Sequence, residues 1–185
     1  MALKLLRTIR LDPSDTFVFD RAAEPGEWAV PGGFRFFDVD PEQLTGKARQ
    51  VFRAGFLGLS SFGASTLAVV VEATGAEREA AIGALAAHLV AAHGAPSLAV
   101  ATTAAEDEIS FAASLADQPD GTIVALHRTV EDGALRERFR TLKPGTRQDR
   151  DFSKGGFRAF EFLEVVGDEG PDETLDITAL GREQP

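Results

Sequence analysis

Thr66-Leu-Ala-Val-Val-Val-Glu-Ala73, then Glu77–His93, then Ser97-Leu-Ala-Val-Ala-Thr-Thr103 is the stretch that decides the fold. Its first segment is a run of apolar and β-branched residues and predicts a strand. In the second, Ile82, Leu85 and Leu89 recur on one face at helical spacing, and Gly94 and Pro96 supply a stop. The third segment reads as a strand again, which makes the whole a strand–helix–strand unit.

Toward the C-terminus, Ile109, Phe111, Ala113 and Leu115 alternate with Ser110, Ala112 and Ser114, and predict a further strand over 108–116. Asp117–Gly121 has turn chemistry, and Thr122–Val130 returns as its partner. Thr129 or Glu131 opens a helix carrying Leu135, Phe139 and Leu142, which Pro144-Gly145 would stop. Phe157–Val166 reads as the last strand. Toward the N-terminus, Leu5, Thr8 and Ile9 mark a strand, and Thr16–Phe19 another after the turn Asp12–Asp15. Trp28–Val30 and Phe34–Val39 flank Pro31-Gly32-Gly33 as a hairpin would. Asp40-Pro41-Glu42 has an N-cap acid and a first-position proline, and predicts a helix through Leu44, Ala48, Val51, Phe52 and Gly55. A Gly- and Ser-rich loop then covers 55–63.

This order of elements predicts an α+β protein, ferredoxin-like or a related sandwich. Its mostly antiparallel sheet would carry helices on one face, with the N-terminal strands added to it. Residues 1–166 form a single domain on this reading. Residues 167–185 are acidic and broken by Gly and Pro, and read as a loosely attached tail.

Composition narrows the chemistry. A chain of 185 residues can bury roughly 70% of the surface its unfolded form exposes. With 14 Phe, one Trp and no Tyr, the aromatic core is built from Phe and offers no phenol for acid–base work. There is no Cys, so disulfides, thiolate nucleophiles and Cys-based metal centres are excluded. No run approaches a membrane span, and the N-terminus lacks the apolar run of a signal peptide, so a cytoplasmic protein is expected. A net charge of −10 argues against general nucleic-acid binding.

Familiar catalytic motifs fail on inspection. Gly58-Leu-Ser-Ser-Phe-Gly63 misses the serine-hydrolase elbow by one residue and lies between a helix and a strand, the wrong order. Thr45-Gly46-Lys47-Ala48 lacks the first glycine and the hydroxyl of a phosphate-binding loop. His88 and His93 stand five residues apart, about 140° around a helix, too far round to share an ion. His127 alternates with Ile123 and Ala125 on a strand. Asp38-x-Asp40 has Mg²⁺-like spacing, but Asp40 is already engaged as an N-cap. Glu106-Asp107-Glu108 reads as a solvated loop.

Two features stand apart. Gly32-Gly-Phe-Arg-Phe-Phe37 and Gly155-Gly-Phe-Arg-Ala-Phe160 share Gly-Gly-Phe-Arg-x-Phe, each read as opening a strand with Phe on one face and Arg on the other. Residues 136–158 hold eight cations against three carboxylates, a local net of +5 that leaves −15 on the rest of the chain. Such a block requires solvent or an anionic partner. Within it, Arg147, Arg150, Lys154 and Arg158 are the candidate binding cations. Paired Gly155 and Gly156 beside Lys154 permit a backbone nest for an anion.

Arg7-Thr-Ile-Arg-Leu-Asp-Pro-Ser-Asp-Thr-Phe-Val-Phe-Asp20, Trp28-Ala-Val-Pro-Gly-Gly-Phe34 and Arg53-Ala-Gly-Phe-Leu-Gly58 resemble a family of small uncharacterised bacterial proteins, a domain of unknown function. The resemblance spans most of the chain and transfers no catalytic residue. It implies an accessory role only through the company such genes keep, beside redox-enzyme maturation and lipoate-ligase-like genes.

The first expectation is therefore a non-enzymatic accessory or binding protein, without cofactor or metal, docking an acidic protein partner or a small anion through the basic loop. The alternative is a small enzyme acting on an anionic metabolite, with His127 or Asp38 as acid–base group. A third expectation is a homo-oligomer closed by the Phe-rich strands and the tail.

Overall fold

A computed structural model describes residues 2–144, 163–167 and 173–176. The strands are β1 (Lys4–Ile9), β2 (Trp28–Val30), β3 (Phe56–Gly58), β4 (Ala64–Ser65), β5 (Leu67–Glu72), β6 (Ile123–Glu131), β7 (Ala134–Pro144), β8 (Leu163–Gly167) and β9 (Glu173–Asp176). The helices are α1 (Ser14–Val18), α2 (Gly46–Ala54), α3 (Gly75–His93) and α4 (Leu98–Leu115). Among the described residues the strands form one sheet in the order β4-β3-β2-β1-β5-β6-β7-β8, with β9 also pairing β7. Every pairing of named strands is antiparallel, so the protein is α+β.

The sheet order is not the split βαβ of a ferredoxin-like fold. β5 and β6 are direct antiparallel neighbours, and the chain travels between them through the helical pair α3–α4. α3 begins on a capping box, with Thr74 Oγ1 accepting from the Glu77 amide and Glu77 Oε2 from the Thr74 amide. It ends at left-handed Gly94.

The segment read as two strands, 97–103 and 108–116, is the single helix α4. Its buried face is Ala101, Ala105, Ile109, Ala112 and Leu115, a helical repeat written mostly in alanine. Small side chains let α4 approach α3 and the sheet closely, and Leu85, Leu89, Leu6, Val70 and Val124 share one core with it. Thr102 and Thr103 fit because their hydroxyls donate to the carbonyls of Leu98 and Ala99.

The segment read as a helix, 131–142, is strand β7. Asp132 (φ 54°) and Gly133 (φ 77°) are both left-handed and close a two-residue hairpin between β6 and β7. The N-terminal half departs in four further places. Ser14–Val18 is a turn of helix, not a strand. Gly33–Phe36 is a turn of 3₁₀ helix where a second hairpin strand was expected. Asp40 does act as an N-cap, its carboxylate accepting from the Glu42 amide, but it caps a 3₁₀ turn over Pro41–Gln43; α2 starts later, at Gly46. Within the expected Gly/Ser loop, Phe56–Gly58 is a buried strand. Glu173–Asp176, within the segment read as a tail, pairs with Ala134–Glu137 of β7.

Candidate functional site

The hairpin β6–β7 has two unlike faces. On the inward face Val124, Leu126 and Arg128 alternate along β6 and Leu135, Glu137 and Phe139 along β7, all buried. Arg128 and Glu137 are cross-strand partners, each 1% exposed, and Arg128 Nε donates to Glu137 Oε1 at 2.5 Å. Arg128 Nη1 donates to the carbonyls of Phe52 (3.2 Å) and Gly55 (3.0 Å), and its Nη2 to that of Pro31. Phe52 and Gly55 offer carbonyls at the C-terminal end of α2, where a cation also meets the negative end of the helix, and Pro31 offers one in the turn after β2.

Arg35 reaches the same place from the Pro31–Phe36 turn. Its Nε donates to the Gly32 carbonyl (3.0 Å) and its Nη2 to Gly55 (2.7 Å). Burial, then the neighbouring charge of Arg128, pushes its pKa down to about 9, which leaves it charged at neutral pH. Both guanidinium carbons lie 5.2 Å from the Phe36 ring centre. Gly32 supplies a left-handed φ of 70°, and its amide donates to Glu108 Oε1 at 2.6 Å. Gly33 permits close approach, since a Cβ there would stand 2.9 Å from Glu137 Oε1. The first Gly-Gly-Phe-Arg-x-Phe copy is thus a structural clamp: its glycines make the turn, Phe36 packs on Phe52, and Arg35 ties the turn to α2.

The outward face carries Ala125, His127 and Thr129 on β6 opposite Arg140, Arg138 and Arg136 on β7. His127, Arg138 and Arg140 are exposed, and exposed Arg53 of α2 is close enough to act on His127. Partial desolvation of the ring, then the charges of Arg53, Arg138 and Arg140, hold the His127 imidazole below its usual pKa. Glu131 pairs with Arg136 Nε and Arg138 Nη2, each at 3.1 Å. The strand geometry therefore puts the first three arginines of the basic block on one face, whereas the expected helix would have turned Arg138 away from Arg136 and Arg140. Candidate residues Arg147, Arg150, Lys154, Gly155, Gly156 and Arg158 lie outside the described residues. Asp38, the other proposed acid–base group, is exposed in the loop before Pro41.

The His88 and His93 rings lie edge to face with their centres 5.0 Å apart, closer than their angular separation on the helix suggests. His93 occupies the last helical position, and its ring also meets Phe34 at 5.1 Å, while Phe62 stacks on His88 at 3.8 Å. Burial first, then His93, Arg35 and Arg21, keeps His88 below its usual pKa; burial and Arg35 do the same for His93. Neighbouring arginines oppose a divalent cation there. Among the described residues no group of three or more His, Cys, Asp or Glu is placed to hold a metal ion.

The serine-containing loop is also structural. Glu27 Oε2 accepts from the amides of Ser60 (2.9 Å) and Ser61 (2.8 Å), and Oε1 from that of Glu24 (2.7 Å). Burial raises the Glu27 pKa, but its hydrogen bonds together hold it below the usual value. Glu108, read as part of a solvated loop, is on α4. Lys47, from the phosphate-loop-like segment, pairs with Asp20 at 3.4 Å.

Sequence reasoning missed the Arg128–Glu137 pair. The signal was present as an arginine in phase with Val124 and Leu126, a charged residue at an inward strand position. Among the described residues no helix is long and apolar enough to cross a membrane. A family model described as a family of unknown function, DUF6505, matches residues 1–156. No curated protein and no solved structure matches the chain.

Proposed function

We propose, from the premise that the chain belongs to the DUF6505 family and inherits no assigned chemistry from it, that this is a non-enzymatic, cytoplasmic accessory or binding protein that docks an anionic partner on the outward β6–β7 face. The observation that carries the reading is the convergence of Arg53, Arg138 and Arg140 on His127, on the β6–β7 hairpin, in a chain of net −10. Like charges held together repel one another, and an anion relieves that cost. The basic stretch continues in sequence through Arg147, Arg150, Lys154 and Arg158, with Gly155 and Gly156 between the last two, and these residues remain part of the proposal as candidate anion-binding groups. The partner is an acidic protein segment or a small anionic group.

A second reading, an enzyme acting on an anionic metabolite, draws support from one placement: His127 stands directly opposite Arg138, beside the cations that would hold such a substrate.

Affinity capture from the native host tests the docking reading, with wild type beside Arg138→Glu/Arg140→Glu. The expected result is a protein recovered with wild type and lost with the variant, the variant still melting cooperatively despite the lost Arg138–Glu131 pair. Equal recovery by both would overturn it.

A further inference from the structure

His127 is the group on the basic face whose charge can change near neutral pH. It faces Arg138 directly across the β6–β7 ladder, with Arg140 the next outward residue on β7 and Arg53 contributed by α2. On its own strand Glu131 is engaged by Arg136 and Arg138. β5 pairs with β6 only through Leu67, Ala68 and Val69, opposite 123–125, and brings no charge beside His127. The imidazole thus sits among three guanidiniums, and its protonation adds a fourth positive charge to the cluster.

Resting on the proposed docking face, we propose that anion binding there is coupled to proton uptake by His127, so that affinity rises as pH falls from 7.5 to 5.5. The physical basis is reciprocal linkage. A bound carboxylate offsets the field of Arg53, Arg138 and Arg140 and favours the imidazolium, and the imidazolium in turn favours the anion. The sign is fixed by the geometry: cations surround the imidazole in the free protein, and a ligand brings the opposite charge.

A labelled hexaglutamate peptide is a suitable probe, because its side chains stay largely ionised over this pH range. The test is its dissociation constant at pH 7.5 and 5.5 at constant ionic strength, for wild type and His127→Asn. The expected result is a gain of roughly fivefold or more in wild type and little change in the variant. Calorimetry in buffers of different ionisation enthalpy should show net proton uptake in wild type alone. Binding that is equal at both pH values, or a pH dependence that survives in His127→Asn, overturns the coupling and leaves the docking face standing. No binding by wild type at either pH overturns both.

Discussion

Arg128 and Glu137 form an enclosed ion pair directly across the β6–β7 ladder, and Arg128 also holds the end of α2 through the carbonyls of Phe52 and Gly55. One side chain thereby joins the hairpin, the helix and the Pro31 turn. The outward residues His127 and Arg138 are the chain neighbours of this pair, so the buried face fixes the position of the exposed one.

Arg128→Met should destabilise the protein by about 3–5 kcal/mol, because Glu137 is left as an uncompensated buried charge. Urea unfolding checks this. Arg128→Met/Glu137→Leu should recover part of the loss but not all, since the Arg128 hydrogen bonds to the carbonyls of Pro31, Phe52 and Gly55 are still lost, and Arg35 remains as a donor to Gly55.

Gly33→Ala should cost about 1–3 kcal/mol by overpacking, because its Cβ would meet Glu137 Oε1 at 2.9 Å and Leu135 Cδ2 at 3.3 Å. Gly75→Ala is the control: its Cβ meets nothing within 4 Å, and the measured stability should not fall comparably.

Glu27 has a folded-state pKa below its unfolded value, so its contribution is present above the unfolded pKa and is lost as pH falls through the folded pKa. Glu27→Gln should lower stability by about 1–3 kcal/mol at pH 7, where the carboxylate accepts three amide protons. The gap between wild type and variant should narrow in melts taken below pH 4.

His88 is likewise depressed, so the stabilisation from keeping it neutral is complete above its unfolded pKa and declines as pH falls through the folded pKa. His88→Phe preserves a ring for Phe62 and removes the titration. Its melting temperature relative to wild type should rise as pH falls from 7 to 5; a difference independent of pH would contradict this assignment.

The elements legible in the sequence were those with one dominant signal. β5 was a β-branched run, and α3 had caps at both ends. α4 was misread because its packing face is alanine, which carries little weight in a hydrophobic pattern, while Ile109, Phe111, Ala113 and Leu115 happen to alternate. β7 was misread because Leu135, Phe139 and Leu142 fall at helical spacing, and the inward position between the first two holds a charge, Glu137. That charge is tolerable only because Arg128 lies opposite, a fact about pairing that no local window contains. Asp132-Gly133 was the overlooked local cue, since both positions require left-handed backbone and Asp-Gly suits them. Of the candidate site, the basic block was visible as composition, but its division into an exposed arginine face and a buried Glu137 needed the strand.

The most direct measurement is fluorescence anisotropy of labelled hexaglutamate against wild type and Arg138→Glu/Arg140→Glu at low and at physiological salt. Docking on the β6–β7 face predicts binding by wild type that weakens with salt and disappears in the variant, both proteins melting cooperatively. Equal binding by the two proteins would contradict it.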